Sequence, residues 1–202
     1  MGFGYKTQWI AVRDRSPAEV ADALDLDRRE SVGWVEGTLR AYDHGVYVAS
    51  PRPGWTLAHV AWHLPDGLEA SATAFPDWLA GLSKRLGEVQ FFGTHRVTEY
   101  HAWARARDGE IVRAYCYLGE RNCVYLSVGE PTAAEQGIVL DPEGLDVDTD
   151  TWSDDDWDAW TDAKPDEEAV LRIAGAWGVG PDQIDDDEVT SLGIHGVPAG
   201  AG

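Results

Sequence analysis

Residues 89–118 read VQFFGTHRVTEYHAWARARDGEIVRAYCYL. Aromatic and β-branched residues crowd the stretch, and Asp108-Gly109 interrupts it with a dipeptide suited to a tight hairpin turn. Beyond the turn, Val112, Ala114, Cys116 and Leu118 alternate with Arg113, Tyr115 and Tyr117. A period of two places these sets on opposite faces of a strand. The stretch therefore predicts an antiparallel pair, Val89–Arg107 against Ile111–Leu118, with a bulge at Gly93. Gly119–Asn122 supplies a second turn, into a strand over Cys123–Val128.

Upstream, Trp78, Leu79, Leu82 and Leu86 recur at helical spacing between Pro76 and Gly87, and the glycine suits a helix C-terminus. Ser16-Pro17-Ala18-Glu19 is a capping box that starts another helix, with Val20, Leu24 and Leu26 on its apolar side. A first strand is expected over Tyr5–Val12. Further strands are expected over Val32–Tyr42, over Val46–Ala49 after an Asp43-His44-Gly45 turn, and over Trp55–Leu64 after a Pro51–Gly54 turn. Helix, strand, turn and strand thus follow one another at 16–50 and again at 76–118. That order suggests a duplicated β-α-β-β unit, and the fold class expected is a single α+β domain with a mainly antiparallel sheet and a few helices.

Downstream the composition changes. Residues 1–140 hold 18 acids and 14 bases, whereas residues 141–202 hold 18 acids against Lys164 and Arg172 alone. The division expected is a body over 1–140, an acidic tryptophan-containing connector over 141–164, a helix over 165–180 and a flexible tail over 181–202. The helix has a proline and three acids in its first turn, with Val170, Ile173 and Trp177 at helical spacing. Its glycine-rich sequel reads as frayed.

These features exclude several chemistries. Clustered basic residues are missing, which disfavours nucleic acid as a partner. No apolar run approaches about 18 residues, so no membrane-spanning helix is expected. Without a signal-peptide pattern, and with only Cys116 and Cys123, a reduced cytoplasmic protein is expected. Cys116 reads as a core thiol, and a diagonal bond to Cys123 would be strained, so both are expected free. Neither a phosphate-binding loop, a dinucleotide fingerprint nor a nucleophile elbow occurs. No cofactor is expected.

The connector contains LDVDTDTWSDDDWDAW at 145–160, with seven aspartates and three tryptophans. An EF-hand requires glycine at position 6 and glutamate at position 12. Counting from Asp146 gives Thr151 and Trp157, and counting from Asp154 gives Ala159 and Pro165, so both frames fail. Solvated acidic segments are poor in large aromatics, which need apolar surface. Trp152, Trp157 and Trp160 are therefore expected to dock the segment on its own domain, or to act with Asp154, Asp155 and Asp156 as an arm for a basic protein.

His59 and His63 lack the intervening glutamate of a zincin helix; on a strand they lie too far apart for one metal. His95, Glu99 and His101 would share a strand face, with Glu99 and His101 as a candidate acid/base pair. No metal site is assigned. Trp62, Trp103, Arg113, Tyr115 and Tyr117 could line an aromatic cleft for a small aromatic ligand. Three functional classes follow. The first is a non-enzymatic binding protein, immunity- or antitoxin-like, whose acidic region engages a basic protein partner. The second is a small-molecule binder or resistance-type sequestering protein, and the third an acid/base enzyme using Glu99 and His101.

Overall fold

The computed structural model describes residues 6–60, 74–141 and 151–199. Trp62 and His63 lie outside them. Among the described residues nine strands form one antiparallel sheet, in the order β2-β9-β3-β4-β1-β5-β6-β7-β8. They are β1 (Thr7–Arg13), β2 (Leu26–Val32), β3 (Val46–Arg52), β4 (Trp55–Val60), β5 (Glu88–His95), β6 (Tyr100–Arg107), β7 (Glu110–Leu118), β8 (Cys123–Val128) and β9 (Gly193–Pro198). Among the described residues five α-helices accompany them: α1 (Pro17–Ala23), α2 (Trp34–Asp43), α3 (Ala74–Leu86), α4 (Asp154–Ala163) and α5 (Glu167–Trp177). The chain is a single α+β domain. No helix among the described residues is long and apolar enough to cross a membrane.

Both faces of the sheet are covered, which explains why the central strands read as nearly continuous apolar runs. Along β1, Ile10 and Val12 point into a core shared with α1 and α3, while Trp9 and Ala11 point into a second core shared with α2 and α5. Val20 of α1 and Phe75, Leu79 and Leu82 of α3 fill the first. Trp34 and Ala41 of α2, with Val170, Ile173 and Ala174 of α5, fill the second.

The hairpin of β6 and β7 turns at Asp108-Gly109, as its dipeptide predicts, with both residues at positive φ. The long arm is broken differently from expectation. β5 and β6 pair without interruption from Glu88–Arg107 to His95–Tyr100, and Gly93 sits in regular register opposite Ala102. A Cβ at Gly93 would lie 2.9 Å from the Tyr100 ring, so the glycine makes room for a packed tyrosine and no bulge forms there. The chain reverses instead at 96–99, and Glu99 closes the turn at φ +49°.

Three other expectations change. Val32–Tyr42 is not a strand: Gly33 caps α2, which buries Trp34, Gly37, Thr38 and Ala41 at helical spacing. The strand of this region is the preceding LDRRESV, an edge strand whose middle is exposed and whose register shifts between Asp27 and Glu30. Leu26 belongs to that strand and not to α1, which ends at Ala23. The two stretches thought to repeat therefore differ, since the first contains a helix where the second has a strand. Finally, part of the expected flexible tail is β9, which pairs with β2 on one side and β3 on the other. Its glycines and proline mask a strand that is held by ladder hydrogen bonds on both sides, with Ile194 packed against the first core.

Candidate functional sites: the aromatic face and the acidic helix

Strand register sets one line of residues across all nine strands: Glu30, His195, Tyr47, His59, Trp9, Phe92, Trp103, Tyr115 and Ser127. Residues directly opposite share a face, so seven consecutive rings lie side by side on the α2–α5 side. Trp9 stacks on Phe92 at 5.3 Å and Trp103 on Tyr115 at 4.6 Å. Helix residues cover the line: Trp34 meets Tyr47, Tyr42 meets His59 edge-on, and Trp177 meets Phe92. Trp103, Tyr115 and Tyr117 are almost wholly buried. The predicted aromatic residues do converge, but as a packed core layer and not as an open cleft wall.

Arg113 is equally committed. Its Nε donates to Glu135 Oε1 at 2.8 Å, and its Nη2 lies 2.7 Å from the same oxygen. Nη1 donates to the Val128 and Gly129 carbonyls. Trp103 Nε1 also donates to Glu135 Oε1, while the Thr132 amide and hydroxyl donate to Oε2. Burial alone would raise the Glu135 carboxyl; the bonds from Arg113, Thr132 and Trp103 outweigh it and hold the group below its ordinary value. The arrangement pins the short turn Ala133–Glu135 to the sheet. Glu135 is absent from the residues singled out above. Its signal was Thr132-Ala133-Ala134-Glu135, a second capping-box spelling.

The acid/base pair is not assembled as expected. Glu99 is an exposed turn residue whose carbonyl accepts from the Gly119 amide at 2.9 Å. His101 is buried on β6, with Nδ1 3.1 Å from the Thr94 hydroxyl of β5, and burial lowers its pKa to about 4. Glu99 and His101 are thus not neighbours on one strand face. His95 Nδ1 lies 2.9 Å from Thr98 Oγ1 within the same turn. His59 is buried beneath Tyr42, and desolvation lowers its pKa to about 3. Among the described residues no group of three His, Cys, Asp or Glu is placed to hold a metal. Neither cysteine is in a disulfide; Cys116 is buried in the α1–α3 core, and desolvation pushes its thiol up to about 12.

Within the acidic segment Asp154–Ala163 forms α4. Ser153 caps α4: its hydroxyl and amide donate to Asp156 Oδ2, at 2.6 and 2.8 Å, and the Asp156 amide donates back to Ser153 Oγ. Those bonds lower the Asp156 pKa. Asp154, Asp155 and Asp156 stand exposed in the first turn, where the helix dipole favours negative charge. Trp152 packs edge-on against Trp157 at 4.7 Å and Trp160 at 5.7 Å, and Lys164 Nζ lies 5.4 Å from the Trp160 ring centre. The three tryptophans thus gather on one another, and Trp157 remains 45% exposed. The Val139 amide donates to the Ala163 carbonyl and ties the end of α4 to the body.

Two surface depressions flank Glu168 and Arg172 on the outer side of α5, and neither is lined by Trp103, Arg113, Tyr115 or Tyr117. Comparison with family models, curated proteins and solved structures finds no match for the chain.

Proposed function

We propose that the chain is a cytoplasmic, non-enzymatic protein-binding protein whose acidic helix α4 engages a basic surface on a protein partner, in the manner of an immunity- or antitoxin-like factor. One observation carries this reading: Trp157 and Trp160 of α4 pack on the preceding Trp152, and Asp154, Asp155 and Asp156 stand exposed beside a half-exposed Trp157. An exposed aromatic ring within a field of one sign offers both an apolar anchor and electrostatic steering to a cationic surface. The alternatives draw less from the geometry. The aromatic set that would line a small-molecule cleft is filled by its own packing, and the acid/base pair is split between a turn and a buried strand position.

The test compares partners crosslinked by the full chain with those crosslinked by a D154N/D155N/D156N/W157S variant. Removing residues 141–202 would be uninformative, because α5 and β9 lie there. Loss of basic partners by the variant is the expected result. An unchanged set of captured proteins, from a variant that still unfolds in one cooperative transition, sinks the reading.

A further inference from the structure

Two imidazoles meet where β9 passes the turn between α2 and β3. His195 lies in the middle of β9, directly opposite Tyr47 of β3 on one side and Glu30 of β2 on the other. His44 ends α2 and leads through Gly45 into β3. Its backbone is extended and Gly45 takes φ +75°, a turn that sets the His44 ring 5.3 Å from the His195 ring, centre to centre. A Cβ at Gly45 would stand 2.9 Å from His195 Nε2, so the close approach requires the glycine. His195 Nε2 lies 2.9 Å from the His44 carbonyl oxygen. A carbonyl oxygen only accepts, so Nε2 carries the proton and the neutral ring keeps its lone pair on Nδ1. His44 Nδ1 lies 3.5 Å from Asp43 Oδ2, which favours the proton there and the lone pair on Nε2. A ring N–H directed at a carbonyl or carboxylate, with the other nitrogen left basic, is the arrangement of metal-ligating histidines.

The separation of the rings fits the same chemistry. With metal–nitrogen distances of about 2.0–2.1 Å, two imidazoles on one tetrahedral ion have ring centres about 5 Å apart. His195 is buried and His44 exposed, so the site opens to solvent on the His44 side. Glu30 is the third group at hand. Residues directly opposite on neighbouring strands share a face, which puts Glu30 beside His195. Its carboxylate is turned to Arg40 at 2.7 Å, so the geometry offers two nitrogen donors, and no three-residue cluster forms among the described residues. Rotating Glu30 away from Arg40 supplies the third donor, and Arg40 keeps Glu36 as its partner. Imidazole suits zinc, nickel and copper. We propose that His44 Nε2 and His195 Nδ1 bind a divalent ion of this class, with Glu30 as third ligand. The ion links residues 151 positions apart and fastens β9 to the α2–β3 turn. This site is separate from α4 and does not rest on the function proposed for that helix.

The test uses the full chain, stripped with chelator, and zinc chloride and nickel chloride as probes. Calorimetric titration should show one ion bound per chain. A saturating ion should also raise the melting temperature by several degrees, because it binds the folded state. His44→Ala removes an exposed ring and should leave the metal-free melt within a few degrees of the parent. The same change should weaken binding by about tenfold or more and abolish the metal-dependent rise. His195→Gln keeps an N–H for the His44 carbonyl and should show the same loss of binding. Glu30→Gln should weaken binding severalfold, and an unchanged affinity would strike Glu30 from the ligand set. His95→Ala, at a histidine on another turn, should bind as the parent does. The proposal is overturned by a parent chain that neither takes up the ion nor gains in melting temperature at millimolar metal. It is overturned equally by a His44→Ala variant that binds as tightly as the parent, or by loss of the ion in His95→Ala.

Discussion

Arg113 and Glu135 bury opposite charges almost completely, so the energetics rest on their pairing being complete. Removing one partner of such a pair leaves an uncompensated charge in a low-dielectric layer, at a cost of about 3–5 kcal/mol. Glu135→Ala should lower stability by that amount in urea titration and detach the 129–140 segment, seen as faster amide exchange there. Arg113→Met combined with Glu135→Leu should cost clearly less than the two single changes summed; an additive result would show that the groups act independently. The buried histidines add a pH dependence of definite sign. His59 and His101 have folded pKa values of about 3 and 4, both below the unfolded value of about 6.5. The unfolded chain therefore takes up protons first, and stability falls as pH drops below about 6.5, continuing toward the folded values. Each histidine should contribute a loss of about 2 kcal/mol between pH 6.5 and pH 5. His59→Gln should flatten that limb; an equally steep limb in the variant would refute the assignment. At this scale the sequence shows which side chains share a strand but not what they meet. Alternation groups Arg113, Tyr115 and Tyr117, which occupy alternate buried positions of β7. Glu135 and Trp103 come to Arg113 from other elements, and alternation within one strand holds no information about those distances.

Among the elements, those with strong local signals are the ones legible in the chain. The Ser16 capping box, the Asp108-Gly109 hairpin and the α3 and α5 periodicities correspond to structure within a few residues. The failures have physical causes. α2 pairs an inward stripe with an outward apolar one, and the combination mimics the alternation of a strand. β2 is a charged edge strand with Arg28 at φ +50°, so it lacks an apolar face to read. β9 is glycine-rich and gains its place from the two strands it joins. Two predictions follow from these elements. Gly37→Ala drives a methyl into the Tyr47 ring and should destabilise by about 1–3 kcal/mol, the usual penalty for overpacking, despite alanine's better helix propensity. A gain in stability would mean that α2 is free to lift from β3. Deleting residues 193–202 withdraws the strand between β2 and β3, leaving both with unpaired backbone. The truncated chain should aggregate, or elute as an expanded species on size exclusion. A soluble, compact product with a cooperative melt would mean that β2 can close onto β3 unaided.

Across the whole molecule, the distribution of charge matters more than its total of −20. The body over 1–140 is close to neutral, and its exposed pairs, such as Arg15 with Glu19 and Arg40 with Glu36, each contribute little. Residues 141–202 carry 18 acids against two bases, yet this region supplies α5, which fills the aromatic core, and β9, which joins two strands. The acidic region is therefore fastened to the sheet at two places, so its self-repulsion acts on the folded domain itself. A compact state carrying such an excess of one sign is destabilised by that repulsion, and added salt screens it. Raising sodium chloride from about 20 mM to about 500 mM shortens the screening length from about 20 Å to below about 5 Å, less than the spacing of most surface charges. The melting temperature should rise by several degrees over that range, against the small loss expected from weakened surface pairs. Asp154→Asn, Asp155→Asn and Asp158→Asn together should raise the melting temperature at low salt and reduce its dependence on salt. The opposite sign, a melting temperature that falls on adding salt, would mean that attractive pairs outweigh the repulsion, and that the excess charge of the C-terminal third is held too far from the sheet to burden it.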